Sequence, residues 1–153
     1  YVQINGDEPL IDPANIDAAV PDEVPLDVEF GTNIIARVKD PAQLCHASNI
    51  KVVFDDSFRA LYMSRTPVPY PFCDVSFSYY KHVGIIGYNR KMLDFYKSSV
   101  PGRLELIEGI DTLRFLDYGK ELRLTPVERA DSLSVDTEAD LRWVRERMSE
   151  KRL

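Results

Sequence analysis

Short runs rich in β-branched and aromatic residues alternate along this chain with stretches whose apolar side chains recur at helical spacing. That alternation admits few arrangements other than helices packed on a β-sheet. Read from Tyr1, the order is strand, helix, strands, helix, helix, strand, helix, which predicts an α/β sandwich with a β-hairpin inserted in its middle. No internal repeat interrupts the order.

Tyr1 to Ile4 reads as a strand that ends in the turn Asn5-Gly6-Asp7-Glu8-Pro9. Asp12 before Pro13 reads as an N-cap and first helical residue, with Ile16, Ala19 and Val20 forming the buried stripe of a helix that runs to about Val20. Residues 21–26, with two prolines, form a solvated loop. A strand begins near Val28, and Ile34 to Val38 contributes another. Asp40-Pro41 breaks it, and 43–48 reads as a short turn or helix. Ile50 to Phe54, the turn Asp55-Asp56 and the returning Arg59 to Ser64 predict the hairpin.

Pro67, Pro69 and Pro71 then alternate with Val68, Tyr70 and Phe72, a spacing that forbids ladder bonding and predicts an extended arm. Lys81 to Tyr88 returns to strand character. Asn89 caps a helix over 91–98 with Met92, Phe95 and Tyr96 on one face. Leu104, Ile107, Ile110, Leu113 and Leu116 predict a single helix stopped at Gly119. Glu121 to Val127 is the last strand, and Thr137-Glu138-Ala139-Asp140 opens a final helix through Met148, with Leu141 and Val144 facing inward.

The chain of 153 residues suits one domain, and its opening inside a strand without a methionine predicts that it is part of a longer one. A net charge of −6 argues against non-specific nucleic-acid binding, which needs a clustered basic face. The longest uncharged apolar patch, residues 83–88, is far shorter than the ~20 residues of a membrane-spanning helix, so no membrane partner is expected. Cys45 and Cys73 lack the spacing of a zinc or redox motif and read as reduced cytosolic thiols.

Two acidic tips carry the candidate chemistry. Gly6 allows the turn that would project Asp7 into the crevice beyond a strand end, where ligands of open α/β sheets bind. Val135-Asp136-Thr137 lies between an apolar segment and a helix start. Either pair of acids also has an ordinary use: Asp7 and Glu8 as turn formers, Asp136 as a partner of the helix dipole. If both carboxylates face one crevice, their hard oxygens suit Mg²⁺ bound together with substrate phosphates, the chemistry of phosphoryl or nucleotidyl transfer.

Asn5 to Leu10, Ala60 to Pro69, Lys81-His82-Val83-Gly84-Ile85, Leu113-Arg114 and Val135 to Leu141 resemble, in order and spacing, the motifs of the 3-deoxy-manno-octulosonate (Kdo) cytidylyltransferases, the CMP-Kdo synthetases. The resemblance covers almost the whole chain. It implies a three-layer, Rossmann-like nucleotidyltransferase sheet with an inserted hairpin, and it aligns residues 1–153 with the C-terminal part of the family's domain. It also implies transfer of CMP from CTP to a 2-keto sugar acid, with release of pyrophosphate and Mg²⁺ as cofactor. By this resemblance Asp7 and Asp136 are the metal ligands, and Arg65 meets the carboxylate of the acid in the fork geometry that a lysine lacks. His82 binds the sugar, and Tyr88 lies near a further contact. Asn5, Asp111 and Thr112 occupy sugar-recognition positions but depart from the family pattern, which has Gln at the first and Glu-Gln at the other two. Such changes leave substrate hydroxyls unpaired at about 1–3 kcal/mol each, so the acid is either Kdo or another, amino-substituted or smaller, acid or a phosphorylated acceptor.

The family's glycine- and arginine-rich CTP loop has no counterpart here, which leaves open a non-catalytic, dimerising subunit of the same fold. The resemblance sets the arm Arg65–Tyr80 and the hairpin near a homodimer interface. If the acid is Kdo, it implies lipopolysaccharide or capsule precursor synthesis in a bacterial cytoplasm.

Overall fold

A computed structural model describes residues 1–128, 130, 135 and 137–150. The strands are β1 (Val2–Ile4), β2 (Phe30–Arg37), β3 (Lys51–Phe54), β4 (Ala60–Ser64), β5 (Tyr80–Tyr88) and β6 (Glu121–Val127). The helices are α1 (Pro13–Ala18), α2 (Arg90–Ser98), α3 (Arg103–Glu108), α4 (Leu113–Asp117) and α5 (Glu138–Glu150), with a 3-10 turn at Pro41–Leu44. Together they form the expected α/β sandwich. Five strands run in the order β4-β3-β5-β2-β6. Among the described residues only β2 and β6 pair in parallel; β1 pairs with β5 at Ile85–Gly87 and β3 pairs with it at Tyr80–Lys81, so both occupy the edge of β5 that β2 leaves open.

Alternation along β2 separates two cores, as the period of a strand requires. Ile35 faces Val52, Met63, Ile110, Leu113, Leu122 and Leu124, beneath α3 and α4. Its neighbour Ile34 faces Ala19, Ala36, Val83, Ile85 and Ala130, with Ile16 and Ala18 of α1 against them. Ile34, Ile35, Leu113 and Leu122 are wholly buried, each worth about 1.5–3 kcal/mol relative to exposure. Helices therefore cover both faces of the sheet.

The caps are those the sequence predicts. Asp12 accepts from the Ala14 N–H at 2.9 Å and Asn89 from the Met92 N–H at 2.8 Å. Asp140 accepts from the Thr137 N–H at 2.8 Å while Thr137 Oγ1 accepts from the Asp140 N–H at 3.2 Å, a reciprocal box with Asp in place of Glu.

Three expectations are corrected. The single helix expected over 104–119 is two, because Gly109 takes a left-handed φ of 62° that ends α3; Ile107 is consequently 67% exposed while Ile110 and Leu113 are buried. Val20 is exposed because α1 stops before it turns inward, and Val28 lies outside β2, which is one continuous strand from Phe30. Among the described residues no helix is long and apolar enough to cross a membrane.

Candidate functional site

The site begins where β1 ends. Ile4 is the last paired residue, opposite Ile85, and beyond it Asn5, Gly6 and Asp7 form an exposed turn closed by the Glu8 N–H to the Asn5 carbonyl at 3.3 Å. Glycine at 84 makes room for this turn: a Cβ there would lie 2.5 Å from Asn5 Nδ2 and 2.7 Å from Glu8 Oε1. The Val135 N–H donates to the Asp7 carbonyl at 2.8 Å, so the segment just before position 136 reaches the first acidic tip. Asp136 itself lies outside the described residues. Among the described residues no three His, Cys, Asp or Glu side chains gather as a metal cage. The turn nonetheless supplies hard oxygen donors, with Glu8 Oε2 buried and unbonded beside Asp7. This donor set fits a cation held by one or two carboxylates and completed by substrate, as Mg²⁺ is, and does not fit an all-protein cage.

From β5, His82 and Tyr88 flank Gly84. His82 is half-buried, its main-chain N–H donates to the Ile50 carbonyl at 2.8 Å, and burial pushes the imidazole pKa down to about 4. The imidazole is therefore neutral at physiological pH, suited to a hydroxyl partner more than to an ion pair. Tyr88 rests its ring 5.8 Å from that of Phe115 and donates its hydroxyl to Gln3 Oε1 at 3.1 Å. Burial, and then the negative charge of Asp111, raise its pKa, so the phenol stays protonated. Asp111 is exposed in the α3–α4 corner. Thr112, next to it, is wholly buried and donates to the Met63 sulfur at 3.3 Å, which turns its hydroxyl away from the open surface.

Arg65 is engaged differently from what the resemblance implies. Its Nε donates to the Glu108 carbonyl at 2.6 Å, Nη1 to Ala47 at 2.9 Å and Nη2 to Gly109 at 2.9 Å, so every guanidinium nitrogen already holds a main-chain oxygen. Around it lies a cluster without local sequence signal. Lys51, fully buried, donates to the carbonyls of His46 at 3.1 Å, Asn49 at 2.6 Å and Arg65, using all three of its protons. Burial lowers its pKa, with the Arg65 charge adding to the effect, against the pull of Cys45 and Glu108. Glu108 accepts from Tyr62 at 3.0 Å, Ser64 at 2.7 Å and the Arg65 N–H at 2.9 Å. Burial would raise its pKa, but these bonds outweigh it and keep the carboxyl below the usual range. Two cations and one acid thus tie loop 46–49 and the end of β4 to the end of α3, the corner that carries Asp111. A second buried pair, Arg114 and Glu105 (2.6 and 2.7 Å), fixes α4 to α3 with the guanidinium stacked 4.0 Å over the Tyr96 ring.

The residues brought to one sheet edge are thus Asn5, Asp7, Glu8, His82, Gly84 and Tyr88, while Asp111 lies in the α3–α4 corner, Thr112 is buried beside it and Arg65 is tied to main-chain oxygens.

A family profile described as cytidylyltransferase matches residues 1–122. The 8-amino-3,8-dideoxy-manno-octulosonate cytidylyltransferase of Shewanella halifaxensis is 34% identical over 150 residues, 97% of this chain and 60% of the relative. The 3-deoxy-manno-octulosonate cytidylyltransferase of Solibacter usitatus is 42% identical over 148 residues, covering 94% and 57%. Among solved structures, a CMP:2-keto-3-deoxy-manno-octonic acid synthetase complexed with CTP superposes with a TM-score of 0.87 at 30% identity, over 99% of this chain and 62% of that one. The inositol-1-phosphate CTP transferase of T. maritima shares the fold at a TM-score of 0.54 and 16% identity. The chain spans about 60% of the length of the curated relatives it matches.

Proposed function

The chain belongs to the cytidylyltransferase family, and on that premise we propose that it carries the acid-acceptor side of a site transferring CMP from CTP to a 2-keto sugar acid of the Kdo type. In this reaction the anomeric hydroxyl oxygen of the acid bonds to the α-phosphorus, the bond from that phosphorus to pyrophosphate breaks, and the hydroxyl proton passes to solvent. The reading is supported above all by the meeting of chain ends at one sheet edge: the Asn5–Glu8 turn lies on Gly84 and receives the Val135 N–H.

Asn5, the neutral His82 imidazole, the Tyr88 phenol and Asp111 then hydrogen-bond the acid and set its anomeric carbon. Asp7 and Asp136 would hold Mg²⁺, which supplies charge neutralisation at the phosphate and orientation of the displacement. Arg65 acts by fixing the Asp111 corner, with Thr112 bracing α4 behind it. The CTP loop belongs to the share of the family's length that this chain does not span. The extended arm, with Tyr70 82% and Phe72 88% exposed, is the surface for a homodimer. The pathway served is lipopolysaccharide or capsule precursor synthesis in a bacterial cytoplasm.

A second acid is favoured by one feature. Asp111 is an exposed carboxylate in the α3–α4 corner, and relatives are named for both Kdo and its 8-amino-3,8-dideoxy analogue. A carboxylate there accepts from an ammonium as readily as from a hydroxyl. Pyrophosphate release by the intact protein with CTP, Mg²⁺ and a panel of 2-keto sugar acids tests both. Preference for the amino acid sugar, lost in Asp111→Asn, supports the second reading; release with Kdo alone supports the first; release with no acid overturns both.

A further inference from the structure

Along β2 and β5 the pairing runs Gly31 to Tyr88, Thr32 to Gly87 and Asn33 to Ile86, then resumes at Ile35 with His82. Val83, Gly84 and Ile85 thus stand opposite the single residue Ile34, a bulge in β5. Asn33 sits at its edge with 0% exposure, a lone carboxamide next to Thr32 in a mostly apolar strand. Its Nδ2 donates to the Val83 carbonyl at 2.8 Å and to the Ile85 carbonyl at 2.9 Å, bridging the residue between them. That residue is Gly84, over which Asn5 and Glu8 are laid. Among the described residues two buried side-chain oxygens lack a partner, Asn33 Oδ1 and Glu8 Oε2, and both belong to residues that border Gly84. Packing alone does not call for a carboxamide here. An apolar residue would fill the space without leaving an orphaned oxygen, but it could not donate to both carbonyls of the bulge.

We propose that Asn33 is a positioning residue for the acid pocket: by bridging Val83 and Ile85 it holds the β5 bulge that lifts Gly84 beneath Asn5 and Glu8 and sets the register of His82. The inference rests on the function proposed above. It assigns to Asn33 the acid-binding geometry and not the nucleotide or the chemical step.

Asn33→Ala removes both bonds and the orphaned oxygen. In the intact protein the KM for the acid is expected to rise about tenfold or more, with kcat and the KM for CTP changed less than about threefold. Gly84→Ala perturbs the same floor without touching Asn33 and should likewise raise the KM for the acid. An unchanged acid KM in Asn33→Ala, or a parallel fall in every parameter, would overturn the assignment. Amide NMR of the chain decides independently of activity. Asn33→Ala should shift Asn5–Glu8 and His82–Ile86 while Met92 and Leu122 stay in place; shifts confined to β2 would refute the link. Failure of the wild-type protein to release pyrophosphate would reject the proposed function, and the amide map would still decide whether Asn33 sets the Asn5–Glu8 turn.

Discussion

Replacing Arg65 with lysine separates a clamp from a ligand. The guanidinium holds three carbonyls, on Ala47, Glu108 and Gly109, at 2.6–2.9 Å in three directions. A lysine ammonium at the end of a thinner stem can keep one of them. Two bonds are lost, and since Nη1 and Nη2 lie near solvent, screening reduces their contribution below the usual range for charged donors, to about 1–1.5 kcal/mol each. The expected destabilisation is therefore about 2–3 kcal/mol, which for a urea slope of ~2 kcal/mol per molar moves the midpoint down by about 1–1.5 M. Urea unfolding followed by circular dichroism reads this directly, with an unchanged slope showing that the folded and unfolded states remain comparable. If Arg65 instead serves only the acid, the midpoint stays where it is and the acid KM alone rises. An unmoved midpoint would refute the clamp.

Gly109→Ala forces a left-handed φ of 62° on a residue with a Cβ and is expected to destabilise by about 1–2 kcal/mol, measured by the same unfolding; a neutral result would mean that the α3–α4 corner relaxes. His82, with a folded pKa of about 4 against the ordinary 6.5, binds its proton more readily when unfolded, so its contribution is complete above pH 6.5 and declines as pH falls from 6.5 to 4. The pH-dependent loss is at most about 3 kcal/mol, and it should disappear from the stability profile of His82→Gln over that window; identical profiles would contradict the burial of the ring. Asp7→Asn should abolish turnover while the protein still folds, since the bond from Val135 is accepted by the Asp7 main chain; turnover at the wild-type rate would refute a metal-binding role for Asp7.

What local chemistry determines was legible before the structure. Caps at Asp12, Asn89 and Thr137, the strand Glu121–Val127 and the hairpin over Lys51–Ser64 depend on neighbours a few residues away. The division of α3 from α4 was also written in the spacing, though a count of apolar residues hides it. Leu104, Ile107, Ile110, Leu113 and Leu116 are three apart, and at about 100° per residue such a series sweeps about 240°, too far for one face of one helix. The break at Gly109 resets the face. Arg65 illustrates the opposite limit: its motif is local, but its carbonyl partners lie 18 and about 44 residues away. Lys51 and Glu108 carried no signal, since a buried charge is permitted only by partners that the fold delivers. Asn33 did carry one, a carboxamide within Phe30-Gly31-Thr32-Asn33-Ile34-Ile35-Ala36, and its meaning appeared only with the bulge opposite.

Phosphorus NMR of a reaction containing the intact protein, CTP, Mg²⁺ and Kdo tests cytidylyl transfer to a sugar acid most directly. The expected result is conversion of the α-phosphorus of CTP into a sugar phosphodiester with stoichiometric pyrophosphate, dependent on the acid. Persistence of CTP with Kdo and with its 8-amino analogue, under conditions where the protein is folded, would contradict it.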